Sequence, residues 1–98
     1  MFVNPSELMI ELMDTWNVYI LRCSDGSLYT GITRDVTRRV AEHNSDKALA
    51  AKYTRARRPV RLVYQEAWAS RSQVCQREYE IKQMDKKEKE ALIAVEGV

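Results

Sequence analysis

Apolar residues fall into a few short blocks along the chain, each closed by a turn or a capping signal. Thr15 to Cys23 (TWNVYILRC) is rich in β-branched and aromatic residues and apolar on both faces, as a central strand would be. Ser24-Asp25-Gly26-Ser27 is a hairpin turn signal, and Leu28 to Thr33 (LYTGIT) is the return strand. Asp35 caps a helix expected to run to about Asn44. A mixed Lys, Ala and Arg stretch follows, Ser45 to Arg58, with room for a short helix. Pro59 precedes a third strand, Val60 to Trp68, where Val60, Leu62 and Tyr64 alternate with Arg61, Val63 and Gln65. Ser70 with Gln73 is a capping-box start for a helix to about Met84; Asp85 with Glu88 opens a last helix through Leu92 and Ile93. The order β-β-α-(α)-β-α-α predicts an α+β fold, a small three-stranded antiparallel sheet flanked by helices.

Ahead of these blocks, Met1 to Asp14 crowds Leu8, Ile10, Leu12 and three methionines around a helix start at Pro5 and Ser6. No clean amphipathic face results, and residues 1–14 are read as an N-terminal extension, helical or disordered, before one domain over 15–94. The chain's 98 residues, 45% of them apolar, suffice for one small core. No apolar run reaches the length of a membrane span and no basic-then-apolar leader opens the chain, so a cytoplasmic protein without membrane contact is expected. Cys23 and Cys75 stand far apart, with no CxxC and a single histidine, which argues against a zinc site or a disulfide scaffold.

The net charge of +2 hides an uneven distribution. Arg34 to Arg61 holds nine basic and three acidic side chains, a local +6, while the rest of the chain sums to −4. A basic middle between acidic flanks suggests a surface that meets a polyanion, with an ordinary solvated face as the alternative. Lys52, Arg55, Arg57 and Arg58 are the candidate nucleic-acid contacts.

Helical geometry then sorts individual side chains. At about 100° per residue, Val36 and Val40 mark the inner face of the first helix; Arg39 lies about 60° from Val36 and His43 about 20°. Arg39 and His43 are either a phosphate clamp and a proton-handling group, or a snorkelling cation and a hydrogen-bonded imidazole. On the helix after Ser70, Val74 and Ile81 mark the inner face with Glu78 between them, and Glu80 points away. A carboxylate there is either paired internally with an arginine or a ligand for a hard cation such as Mg²⁺.

The hairpin offers two registers. A two-residue Asp-Gly loop puts Tyr19 and Tyr29 on opposite sheet faces. A three-residue loop with Gly26 left-handed sets Tyr19 opposite Gly31 and Tyr29 opposite Leu21, so both phenols share a face. Gly31 would then leave room above it for a ligand or for Tyr19 itself.

Val18-Tyr19-Ile20, then Tyr29-Thr30-Gly31, then Arg39 and His43 eight and twelve residues beyond that glycine, resemble the GIY-YIG nuclease signature. Glu78 falls where that family places its metal-binding glutamate. The similarity runs from about Trp16 to Ile93 and is closest to the small stand-alone bacterial GIY-YIG proteins, through stretches such as LRCSDGSLYTGIT, RRVAEHN, KYTRARRPVRLVY and REYEIK. Val18 stands in place of the family's Gly and Thr30 in place of Ile, and Ser45 to Ala51 is longer and without the expected glycines.

The resemblance implies a Mg²⁺-dependent (or Mn²⁺-dependent) endonuclease hydrolysing DNA phosphodiesters, in repair or branched-DNA processing, with one metal ion. Tyr19 or Tyr29 would activate the attacking water while the other orients it, Arg39 would hold the scissile phosphate, and His43 would support the nucleophile or shuttle a proton. Glu78 would hold the metal. A nucleic-acid-binding module with weak or lost catalysis is the alternative. DNA is the expected partner, for a monomer or weak homodimer, with a further protein partner left open.

Overall fold

In the computed structural model, which describes residues 15–46 and 48–98, the chain first reverses at Ser24 to Ser27. The expectation of a helical or disordered extension over 1–14 lies outside the described residues. Strands β1 (Trp16–Arg22) and β2 (Leu28–Thr33) flank a turn in which Gly26 sits at φ 83°. That left-handed conformation costs glycine little and other residues more. Gly26 N–H donates to the Cys23 carbonyl at 2.9 Å and Cys23 N–H to the Ser27 carbonyl at 2.8 Å. Asp25 Oδ1 accepts from the Ser27 amide at 3.0 Å and its hydroxyl at 2.5 Å. This is the three-residue loop, and the register follows: Tyr19 opposes Gly31 and Leu21 opposes Tyr29.

Strand β3 (Arg61–Trp68) pairs antiparallel with the other side of β1, giving a three-stranded sheet in the order β2-β1-β3. It starts at Arg61 rather than Val60, and its alternation is not the simple one expected. Ile20 opposes Tyr64 whereas Leu21 opposes Leu62, so Val63 is an extra residue at a bulge. Val63 and Tyr64 are consequently both buried, and Leu62 only half so.

Four helices complete the fold. Helix α1 (Val36–Ser45) starts at Asp35, whose carboxylate accepts from Arg38 N–H at 3.1 Å. A short α2 (Lys52–Arg55) lies within the mixed stretch. Helix α3 (Arg71–Gln83) is capped by Ser70, and α4 (Lys86–Glu96) by a full Asp85–Glu88 capping box. One sheet face packs Val18, Ile20, Val63 and Tyr64 on Val74 and Ile81 of α3, with Leu92 and Ile93 of α4 alongside. The other gathers Tyr19, Leu21, Cys23 and Val60, with Tyr29 and Val40 packed against them.

Two polar clusters pin the helices to the sheet. Arg22 forms a bidentate pair with Glu90 of α4 at 2.6 and 2.8 Å. Glu66 on β3 accepts from Tyr64 Oη, from Trp68 Nε1 at 2.5 Å and from Arg77 Nε of α3 at 3.0 Å. Both cysteines are free thiols. No helix among the described residues is long and apolar enough to cross a membrane.

Candidate active site

The hairpin register and α1 bring three of the sequence candidates into one cluster. Tyr19 and Tyr29 share a sheet face with ring centroids 6.4 Å apart, and His43, one helical turn beyond Arg39, lies 6.0 Å from the first and 5.2 Å from the second. Gly31 makes the packing possible. A Cβ at that position would sit 2.6 Å from Tyr19 Oη and 2.8 Å from its Cζ, so the space above the glycine belongs to the phenol.

Tyr19 is 1% exposed and His43 is fully buried. Tyr19 Oη lies 2.8 Å from His43 Nε2, and His43 Nδ1 lies 2.7 Å from Thr54 Oγ1. Burial pushes the Tyr19 phenol up to about 12, with Tyr29 and the Glu78 charge adding to the rise and Arg39 opposing it. Burial, then the positive field of Arg39, brings His43 down to about 4. Both groups are therefore neutral at pH 7. Tyr29 is half-buried and reaches the surface, so one phenol faces inward and the other outward.

Arg39 is mostly buried, and its Nη1 donates to the Leu49 carbonyl at 2.6 Å and to Glu42 at 3.2 Å. These bonds hold the guanidinium beside Tyr19. Glu78 on α3 is half-buried, and its partner is Lys82 one turn on, at 3.2 Å, rather than the arginine that an internal pair would have used. Among the described residues no group of three or more His, Cys, Asp or Glu side chains is placed to enclose a metal. A single carboxylate with a half-exposed lysine as its counter-ion suits Mg²⁺, which commonly keeps several waters and takes substrate oxygens as ligands. The donor set fits such an ion and would not fit one that needs an all-protein cage.

The four basic candidates divide. Lys52 and Arg55 are exposed on α2. Arg57 is half-buried, pairs with Asp25 at 3.1 Å and lies 3.9 Å above the Tyr53 ring. Arg58 is also half-buried, donating to the carbonyls of His43 at 2.6 Å and Asp46 at 2.8 Å. Arg57 and Arg58 thus brace the turn and α1 rather than standing free in solvent.

Two residues near the cluster escaped the sequence reading. Thr54 is fully buried against His43, and Tyr53 stacks on Tyr29 at 6.1 Å, extending the aromatic group to the surface. Both lie in the short α2, too brief for a periodicity to mark an inner face.

The match of residues 15–91 to the GIY-YIG catalytic domain sets this fold in a nuclease superfamily, and the chain belongs to the GIY-YIG family. Within it the chain is similar to the small UPF0213 proteins. It is 54% identical over 78 residues to one from Desulfotalea psychrophila, covering 80% of this chain and 70% of that protein. It is 53% identical over 81 residues to one from Staphylococcus aureus, covering 83% and 96%. Among solved structures, the solution NMR structure of a UPF0213 protein from Bacillus halodurans has 44% identity and a TM-score of 0.56, over 85% of this chain and 86% of that one. A protein from E. faecalis, also solved by NMR, has 38% identity and a TM-score of 0.58, over 83% and 84%.

Proposed function

We propose that this protein is a Mg²⁺-dependent (or Mn²⁺-dependent) DNA endonuclease that hydrolyses phosphodiester bonds in branched or otherwise distorted substrates, as repair and branched-DNA processing require. The observation that carries this reading is the convergence of Tyr19, Tyr29 and His43, with Tyr19 seated over Gly31 and the charges of Arg39 and Glu78 both acting on Tyr19. One phenol facing inward and one facing outward can hold an attacking water between a buried and an accessible wall. Arg39, held by Leu49 and Glu42, brings a fixed positive charge to the phosphate as negative charge develops on it. Glu78 would hold the metal ion, which would supply Lewis-acid stabilisation of the charge developing at the phosphate. Lys52 and Arg55 extend the basic surface along the nucleic-acid backbone, with Arg57 and Arg58 placing α2 beside the site.

The same cluster catalyses nothing if the chain only binds nucleic acid, and one experiment separates the two readings. Linear duplex, single-stranded, flap and four-way-junction DNA are incubated with Mg²⁺, with EDTA, and with the Glu78→Gln protein. Mg²⁺-dependent cutting lost in Glu78→Gln supports the enzyme. No cutting of any substrate, with salt-sensitive binding intact, favours instead a binding module or an enzyme that lacks its partner.

A further inference from the structure

Thr54 closes the hydrogen-bond chain behind the two phenols. Its buried Oγ1 lies 2.7 Å from His43 Nδ1 and 3.0 Å from the Ala51 carbonyl oxygen. A hydroxyl has one proton, and a carbonyl oxygen only accepts, so the Ala51 contact needs that proton. Turned toward His43 instead, it would leave two oxygens facing each other 3.0 Å apart with nothing between them. Thr54 therefore meets the imidazole with a lone pair, and Nδ1 carries a hydrogen. A neutral imidazole has a single N–H, so Nε2 is bare and the 2.8 Å contact to Tyr19 is made by the phenol's own proton. Three contacts use three protons, and every one runs inward from Tyr19 to the Ala51 carbonyl.

We propose that Thr54 is a positioning residue that holds His43 in its Nδ1–H form, so that Tyr19 turns its proton inward and presents an oxygen lone pair to the site. The inference rests on the nuclease reading of this cluster and makes Tyr19, rather than Tyr29, the phenol that accepts the water's proton. As the water O–H bond breaks, its proton passes to Tyr19 Oη and the Tyr19 proton passes to His43 Nε2. The imidazolium so formed keeps its Nδ1–H on Thr54. The hydroxide's electron pair forms the new bond to phosphorus, the bond from phosphorus to the leaving 3′ oxygen breaks, and that oxygen takes a proton from solvent. His43 then returns its extra proton through Tyr19 to water. Burial, then the charges of Arg39 and Arg58, disfavour the charged form of the imidazole against the weaker pull of Glu42, so the proton stays only in transit. With the opposite tautomer, Nε2–H would donate to Tyr19, and the phenol would have no acceptor behind it.

His43 is the chain's single histidine, so ¹⁵N NMR of its ring in the untagged full chain at pH 7 needs no assignment. The expected spectrum shows a protonated Nδ1 and a bare Nε2, retained in Thr54→Ser and lost in Thr54→Val. Single-turnover cleavage by Thr54→Val falls about ten- to a hundred-fold, the usual cost of removing a group that orients a functional histidine, and recovers in Thr54→Ser. An Nε2–H ring in the wild-type chain overturns the proposal without any variant, as does a Thr54→Val protein that keeps both tautomer and rate. Absence of cleavage by the wild type would instead sink the nuclease reading, while the ring spectrum still decides the tautomer.

Discussion

Replacing Gly31 with alanine adds one methyl group where the backbone can accept it but the neighbour cannot. The new carbon would stand 2.6 Å from Tyr19 Oη and 2.8 Å from Cζ. Tyr19 has little room to retreat, because its ring is 1% exposed and hemmed in by Tyr29 and His43. Relief of the overlap needs a shift of roughly 0.6–0.8 Å, which stretches the 2.8 Å Tyr19–His43 contact past useful hydrogen-bond length. Overpacking of this kind costs about 1–3 kcal/mol. Loss of glycine's backbone freedom in the unfolded chain offsets up to about 1 kcal/mol of that. A net loss of about 1–2 kcal/mol corresponds to a melting temperature lower by roughly 5–15 °C in a chain of this size. Thermal unfolding followed by circular dichroism reads that shift, and the same sample is assayed for cleavage. Tyr19→Phe in the Gly31→Ala background removes the oxygen at 2.6 Å but leaves Cζ at 2.8 Å, so it recovers part of the loss and not all. A Gly31→Ala protein melting within about 1 °C of wild type would refute the argument that this phenol occupies the space of a side chain.

Three further outcomes follow from other sites. The depressed His43 means the unfolded chain takes up a proton near pH 6.5 and the folded chain only near pH 4, so stability is full above pH 6.5 and declines as pH falls toward 4. The full loss is on the order of 3 kcal/mol, and urea titrations at stepped pH should show it in wild type and not in His43→Gln. Thr30 is buried and its hydroxyl has no partner among the described residues, so Thr30→Val should stabilise by about 1 kcal/mol in the same titrations. Lys52→Ala and Arg55→Ala, at exposed positions, should each weaken DNA binding and reduce the slope of log K against log salt by about 0.9, with unfolding unchanged; an unaltered slope removes that side chain from the interface.

Much of this geometry can be read from the chain because it rests on local rules. The caps at Asp35, Ser70 and Asp85 all formed where side-chain chemistry placed them. The turn chemistry of Ser24 to Ser27 narrowed the hairpin to two registers, and the pairing of Tyr19 with Gly31 selects the three-residue loop. The Lys82 partner of Glu78 is an i,i+4 neighbour and was equally open to view. What stayed hidden depends on pairing across distance. The Val63 bulge arises from how β3 meets β1, which no alternation within β3 reveals. Glu66 gathers Tyr64, Trp68 and Arg77 only once α3 has docked on β3. Thr54 reaches His43 across eleven residues that carry no helical period, and Arg57 and Arg58 looked like solvent-facing cations because their partners lie far along the chain.

Loops at the surface ordinarily absorb insertions and deletions with little harm, and Ser24 to Ser27 has the exposure of such a loop. Here its length sets which residues share the face of Tyr19. Adding or removing one residue would leave every side chain of β2 chemically intact yet rotate the strand's identity: Tyr29 and Gly31 would leave the face of Tyr19, and Thr30 would arrive in their place. For this fold a single-codon indel in the turn thus dismantles the tyrosine cluster more completely than most substitutions would. Natural variation in the hairpin should be found in the composition of the turn and scarcely ever in its count.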